Sequence, residues 1–168
     1  MENRLLHIYL DDHIALMVAE MELAARCGRS NRGTPLAQFL EQLQKDVAAQ
    51  KQVAEGVLRQ TGGRSSLEGR MKQSAAWFAE KLGRLKLNGA LLHYSALSRV
   101  LELETLSAAA QQRIAVWENC DAVQNADLAM ADGCYARCRQ QAQQHLEELI
   151  GFRRLAASWA FGKGSVRN

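Results

Sequence analysis

The chain is poor in the residues that build sheets and punctuate chains. It has a single proline, and only 6% of its residues are aromatic. β-Branched residues are sparse, while Ala, Leu, Gln, Glu and Arg abound, a balance that favours helix over strand. Long apolar runs are absent as well: no stretch approaches the ~18 consecutive apolar residues of a membrane-spanning helix. The start, MENRLLHIYLDD, turns acidic before a signal-like apolar core develops. These absences point to a cytoplasmic protein that does not enter the membrane. The excess of positive charge is small, a formal +3, and it is dispersed apart from Arg153, Arg154, Lys163 and Arg167. Nucleic acid is therefore not an expected partner. Neither a phosphate-cradling glycine loop nor a nucleophile with an evident base occurs. Arg64 and Arg70, in GGRSSLEGR, read as solvated loop residues.

What remains is a helical chain of one domain. Its 168 residues are 48% hydrophobic, and a chain of this size buries roughly 70% of the surface it exposes when unfolded. Periodicity places a first helix from about Arg4 to Cys27, with Gly28 as a left-handed cap. Thr34 and Pro35 supply the N-cap and first turn of a second helix that runs to Gln60 and ends at Thr61-Gly62-Gly63. MKQSAAWFAEKLGRL, with Met71, Ala75, Phe78, Leu82 and Leu85 in phase, predicts a short helix. A third helix is expected from about Ala90 to Glu118, and a fourth from near Asp121 to Ala160 with a bend at Gly151. The expectation is an all-α, ferritin-like four-helix bundle: two antiparallel helix hairpins joined by a long crossover that carries the short helix. Residues 1–161 form the domain, and residues 162–168 a flexible, basic tail.

Polar residues on the inner stripes carry the functional reading. In the second helix Leu36, Leu40, Leu43, Val47, Ala54 and Val57 share a face, with Gln50 near its centre and Asp46 on its flank. In the first, Leu5, Tyr9, Leu16, Leu23 and Cys27 align with Asp12, while Glu20 lies on the opposite flank. Leu97, Leu101, Ala108 and Ala115 align with Glu104 in the third. In the fourth, Leu128, Ala131, Tyr135, Ala142, Leu146 and Leu149 align with Arg139, beside Asp132. Converging acids need cations, because a lone buried carboxylate would pair or protonate. A di-metal bundle supplies one Glu from each of two helices and Glu-x-x-His from the other two. Here Ala49 stands three residues after Asp46, and Tyr135 three after Asp132. His7, His13, His93 and His145 read as surface or boundary residues. The cation already in the sequence is Arg139, expected to pair with some of Glu104, Asp46, Asp132 and Asp12, helped by Gln50 and Tyr135.

The chain resembles the ferritin-like superfamily, and within it the small bacterial stress-associated proteins related to rubrerythrin. The likeness rests on Tyr9-Leu10-Asp11-Asp12 in the first helix, on Asp46 and Gln50 in the second, on SAAWFAEKLGR, and on LELETL with Glu102 and Glu104. It implies that Asp12 or Glu20, Asp46, Glu104 and Asp132 occupy metal-ligand positions, with a stress-related role. The leading expectation is a non-catalytic protein that has lost its di-metal centre, binds no cofactor, and acts through a partner or as a homo-oligomer, a dimer first. Leu10, Ile14, Met17 and Met21, which lie away from the inner stripe, offer a second apolar face for that association. An active di-iron or di-manganese oxidoreductase with a carboxylate site is the alternative. The second alternative uses the cysteines: Cys134 and Cys138 are one helical turn apart and could share copper. All four cysteines (Cys27, Cys120, Cys134, Cys138) are expected as reduced thiols.

Overall fold

The computed structural model describes residues 3–63, 94–123 and 133–162. They form four α-helices packed together, with no strand among the described residues: α1 (Asn3–Ser30), α2 (Pro35–Gln60), α3 (Ala96–Ala122) and α4 (Cys134–Phe161). None of these helices is long and apolar enough to cross a membrane. The short helix expected over Met71 to Leu85, His93, Leu128, Ala131, Asp132 and the tail beyond Gly162 lie outside the described residues.

Local chemistry sets the ends. α1 runs helically through Gly28, so the expected cap is displaced. Asn31 closes the helix instead, its N–H reaching Gly28 O at 3.1 Å and its Nδ2 donating to Cys27 O at 2.7 Å. The left-handed backbone that ends this turn falls to Gly33, with φ +77°. Thr34 then caps α2 as the sequence suggests: its Oγ1 accepts from Ala37 N at 3.3 Å, and Pro35 takes the first turn. Ser95 caps α3 in the same way, accepting from Ser98 N at 3.0 Å, so α3 begins six residues later than Ala90. α4 begins only after left-handed Gly133. It continues without interruption past Gly151 to Phe161.

Contacts between the helices fix their directions. His7 near the start of α1 bonds Thr61 after the end of α2, and Gly28 lies against Leu40, so α1 and α2 are antiparallel. Between α1 and α3 the pairs are Tyr9 with Asn119, Glu20 with Arg113, and Arg26 with Glu102, a descending order that is again antiparallel. Phe39 meets Phe152, Asp46 meets His145 and Gln50 meets Gln141, which gives the same relation for α2 and α4. Trp117 stacks on Tyr135 where α3 and α4 approach each other across their connection.

The core confirms one face and corrects three. Every expected inner residue of α2, Gln50 included, is buried. In α1 the buried face is instead Leu10, Ile14, Met17, Glu20, Leu23 and Cys27, while Leu5 is 77% exposed and Asp12 is exposed. Leu10, Ile14 and Met17 are thus core residues and cannot serve as an outer face for a second copy. In α3, Val100, Leu103, Leu106, Ala110, Arg113 and Trp117 point inward, whereas Leu97, Ala108 and Glu104 are exposed. In α4 the inner set Tyr135, Cys138, Ala142, His145 and Leu149 replaces one centred on Arg139, which is half-buried. The physical reason is composition. α2 carries polar residues over most of its circumference, leaving one apolar stripe, but α1 and α3 are apolar nearly all round, and their phase depends on what packs against them.

Candidate functional site

The centre of the four helices holds a hydrogen-bonded polar cluster to which every helix contributes. Three helices each send in two side chains one turn apart: Asp46 and Gln50 from α2, Arg113 and Trp117 from α3, Gln141 and His145 from α4. Spacing of four places both members of each pair on one face. α1 contributes Glu20, which is 1% exposed.

Arg113, itself 2% exposed, is the hub. Its Nε donates to Glu20 Oε2 at 2.8 Å and its Nη2 to Glu20 Oε1 at 3.0 Å, a bidentate ion pair. Its Nη1 donates to Gln50 Oε1 at 3.1 Å, and the same oxygen accepts from Trp117 Nε1 at 2.9 Å. The Gln50 amide nitrogen donates onward to Cys138 O at 3.2 Å and to Gln141 Oε1 at 2.7 Å. The amide therefore ties three helices together and uses both its ends. On the other side, both Nη atoms lie 3.4 Å from His145 Nδ1, and His145 Nε2 lies 3.0 Å from Asp46 Oδ2. A neutral ring with its proton on Nε2 suits both neighbours: Nδ1 accepts from the guanidinium and Nε2–H donates to the carboxylate.

Burial and charge pull the titrations in predictable directions. Burial lowers the pKa of His145, and the adjacent Arg113 lowers it further, against the opposing pull of Asp46. Glu20 is raised by burial, with Arg113 working against that rise through charge and hydrogen bonding. Of the acids assigned to a metal site, Glu20 has both oxygens on Arg113, and Asp46 binds His145. Asp12 and Glu104 are exposed and do not join the cluster. Among the described residues no group of three or more His, Cys, Asp or Glu is arranged to hold a metal ion. In the described cluster it is the Arg113 guanidinium that faces the Glu20 carboxylate.

Arg139 is not the buried cation; Arg113 is. Tyr135 is buried, but stacked on Trp117 with ring centroids 6.1 Å apart. His145 is buried rather than at the boundary, and His7 and His13 are half-buried. Arg113 had a signal in the sequence: Ala109, Ala110, Val116 and Trp117 surround it at helical spacings of three and four. His145 likewise has Ala142 and Leu149 on its own face.

A second cluster ties the start of α3 to the end of α1. Arg26 Nε and Nη2 reach Glu102 Oε1 at 3.0 and 2.8 Å, and the Tyr94 hydroxyl donates to Glu102 Oε2 at 2.9 Å. Asn31 Nδ2 donates to that hydroxyl at 2.9 Å. Burial, reinforced by Glu102, pushes the neighbouring Cys27 thiol up to about 12. Cys138 is pushed up to about 12 as well, by burial and then by Cys134. All four cysteines are unpaired.

Comparison with protein-family models, with curated proteins and with solved structures gives no match.

Proposed function

We propose that this is a non-catalytic helical protein of ferritin-like architecture, in which an arginine–glutamate pair stands where a di-metal centre would be, and that it acts through association with a second copy or another protein. The observation that carries the reading is the bidentate Arg113–Glu20 pair, buried among all four helices. It consumes the one wholly buried acid among the described metal-ligand positions and neutralises it without an ion. The helix directions support the architecture: α2 and α3 run parallel, the relation expected of two helices joined by a long crossover. Association is supported by Leu155, Trp159 and Phe161, exposed on the last two turns of α4 at 57%, 70% and 67%.

Two measurements test this reading. Metal analysis of protein purified without chelator should find iron and manganese far below one ion per chain. Stoichiometric metal, lost on Asp46→Ala, would overturn it in favour of a di-metal oxidoreductase. Light scattering across a concentration series should show a dimer that Trp159→Asp dissociates; a strict monomer at every concentration would remove self-association.

A further inference from the structure

α4 opens with two thiols one turn apart, at the end of the helix opposite Leu155, Trp159 and Phe161. Cys134 is its first residue and is half-buried, while Cys138 is 9% exposed. The two thiols are hydrogen-bonded to each other. A spacing of four in a helix sets the Cβ atoms about 5–6 Å apart. That is too wide for a disulfide, which needs ~3.5–4.5 Å. Two thiolates on one metal ion tolerate more: bonds of ~2.3 Å, the length found for zinc, allow the sulfurs to stand up to ~4.6 Å apart.

The charge around the pair is positive. The first N–H groups of α4 carry the positive end of the helix dipole, and Gly133 has no side chain with which to cap them. Arg137 folds back over this turn: a Cβ built on Gly133 would meet its Nη1 at 3.5 Å. Both Arg137 and Arg113 favour the Cys138 thiolate by charge. Burial acts the other way and keeps Cys138 protonated in the free protein. A metal ion overrides that preference, because a coordinating thiol is deprotonated outright.

We propose that Cys134 and Cys138 form a two-coordinate site for a soft monovalent cation, copper(I). The two thiols give up two protons and the two thiolates bind one ion, a unit of net charge −1 that the helix start and Arg137 compensate. The ligand set selects the ion. Thiolates suit soft copper(I), whereas magnesium and calcium take oxygen donors. Structural zinc takes four ligands. Among the described residues no third His, Cys, Asp or Glu joins the pair. The site uses neither the acids of the central cluster nor the exposed apolar residues of α4, so it stands or falls independently of the association reading.

Titration of the reduced, full-length protein into copper(I) bicinchoninate, without oxygen, provides the test. The protein should withdraw one copper(I) per chain, with a thiolate-to-copper charge-transfer absorption that reaches its endpoint at the same ratio. An equal concentration of zinc(II) should not displace it. Cys134→Ser, at a half-buried position in the first turn that does not endanger folding, should lower the affinity at least a hundredfold. Cys138→Ser should do the same, and Cys120→Ser should retain the wild-type affinity. The proposal is overturned if the wild type withdraws no copper, if folded Cys134→Ser withdraws as much as the wild type, if zinc(II) displaces the copper, or if folded Cys120→Ser loses it.

Discussion

Arg113 of α3 and Glu20 of α1 meet through two charge-assisted hydrogen bonds, although 93 residues separate them in the chain. Both side chains are almost wholly buried, and each is uncompensated without the other. A buried pair adds little against a well-packed apolar replacement, yet removing one partner strands a charge in a medium that solvates it poorly.

Arg113→Met should therefore cost about 3–5 kcal/mol of stability, while the double variant Glu20→Leu/Arg113→Met should recover most of that loss. Denaturant melts of the two singles and the double close a mutant cycle. A double variant as unstable as the worse single would show that the pair is not the coupled unit. Arg139→Met, at a half-buried position outside the cluster, should change stability by only about 0.5 kcal/mol.

Gln50 links Arg113 and Trp117 on one side to Cys138 and Gln141 on the other. Replacing it with leucine keeps the volume and removes both functions, leaving the Trp117 N–H buried and unmatched. A loss of about 1–3 kcal/mol is expected for that group. A changed tryptophan emission, read at constant far-ultraviolet circular dichroism, would locate the effect at the indole rather than in the helices.

His145 makes stability depend on pH. Its folded pKa is below its ordinary value of 6.5 because burial and then Arg113 oppose its charging. The folded state thus holds this proton less tightly than the unfolded chain does. Stability from the neutral ring is fully present above 6.5 and is lost as pH falls through the lower folded value. Glu20, raised by burial, works in the opposite sense: its contribution is present at low pH and is lost as pH rises through its own folded value. His13, also lowered by burial, follows His145. The wild type should lose more stability than His145→Gln between pH 7.5 and 5.5. Parallel melting temperatures for the two proteins over that range would refute the assignment.

Gly151 sits on an exposed face inside α4, and a Cβ built there would meet nothing within 4 Å. Gly151→Ala should stabilise the protein by about 0.5–1 kcal/mol, since alanine loses less backbone freedom on entering a helix. The expected signature is a higher denaturation midpoint with an unchanged slope.

The sequence determined what local chemistry can decide. Helical class follows from composition, and the start of α2 from Thr34 and Pro35. The buried face of α2 follows from an apolar stripe that its polar residues leave in only one place. From that stripe Gln50 was legible as an inner polar residue and Asp46 as its flank, and the need for an internal cation followed from the energetics of buried acids. Only the tertiary structure decided which cation it is. The apolar residues of α1 and α3 cover too much of each helix to fix its rotation, so Glu20, Arg113 and the wholly buried Leu10, Ile14 and Met17 find their places through their partners on other helices. Arg139 and Arg113 are chemically equivalent, and what separates them is the rotation of α3 and α4. That rotation is set by close packing of whole faces between helices, such as Trp117, one turn from Arg113, against Tyr135, one turn from Arg139.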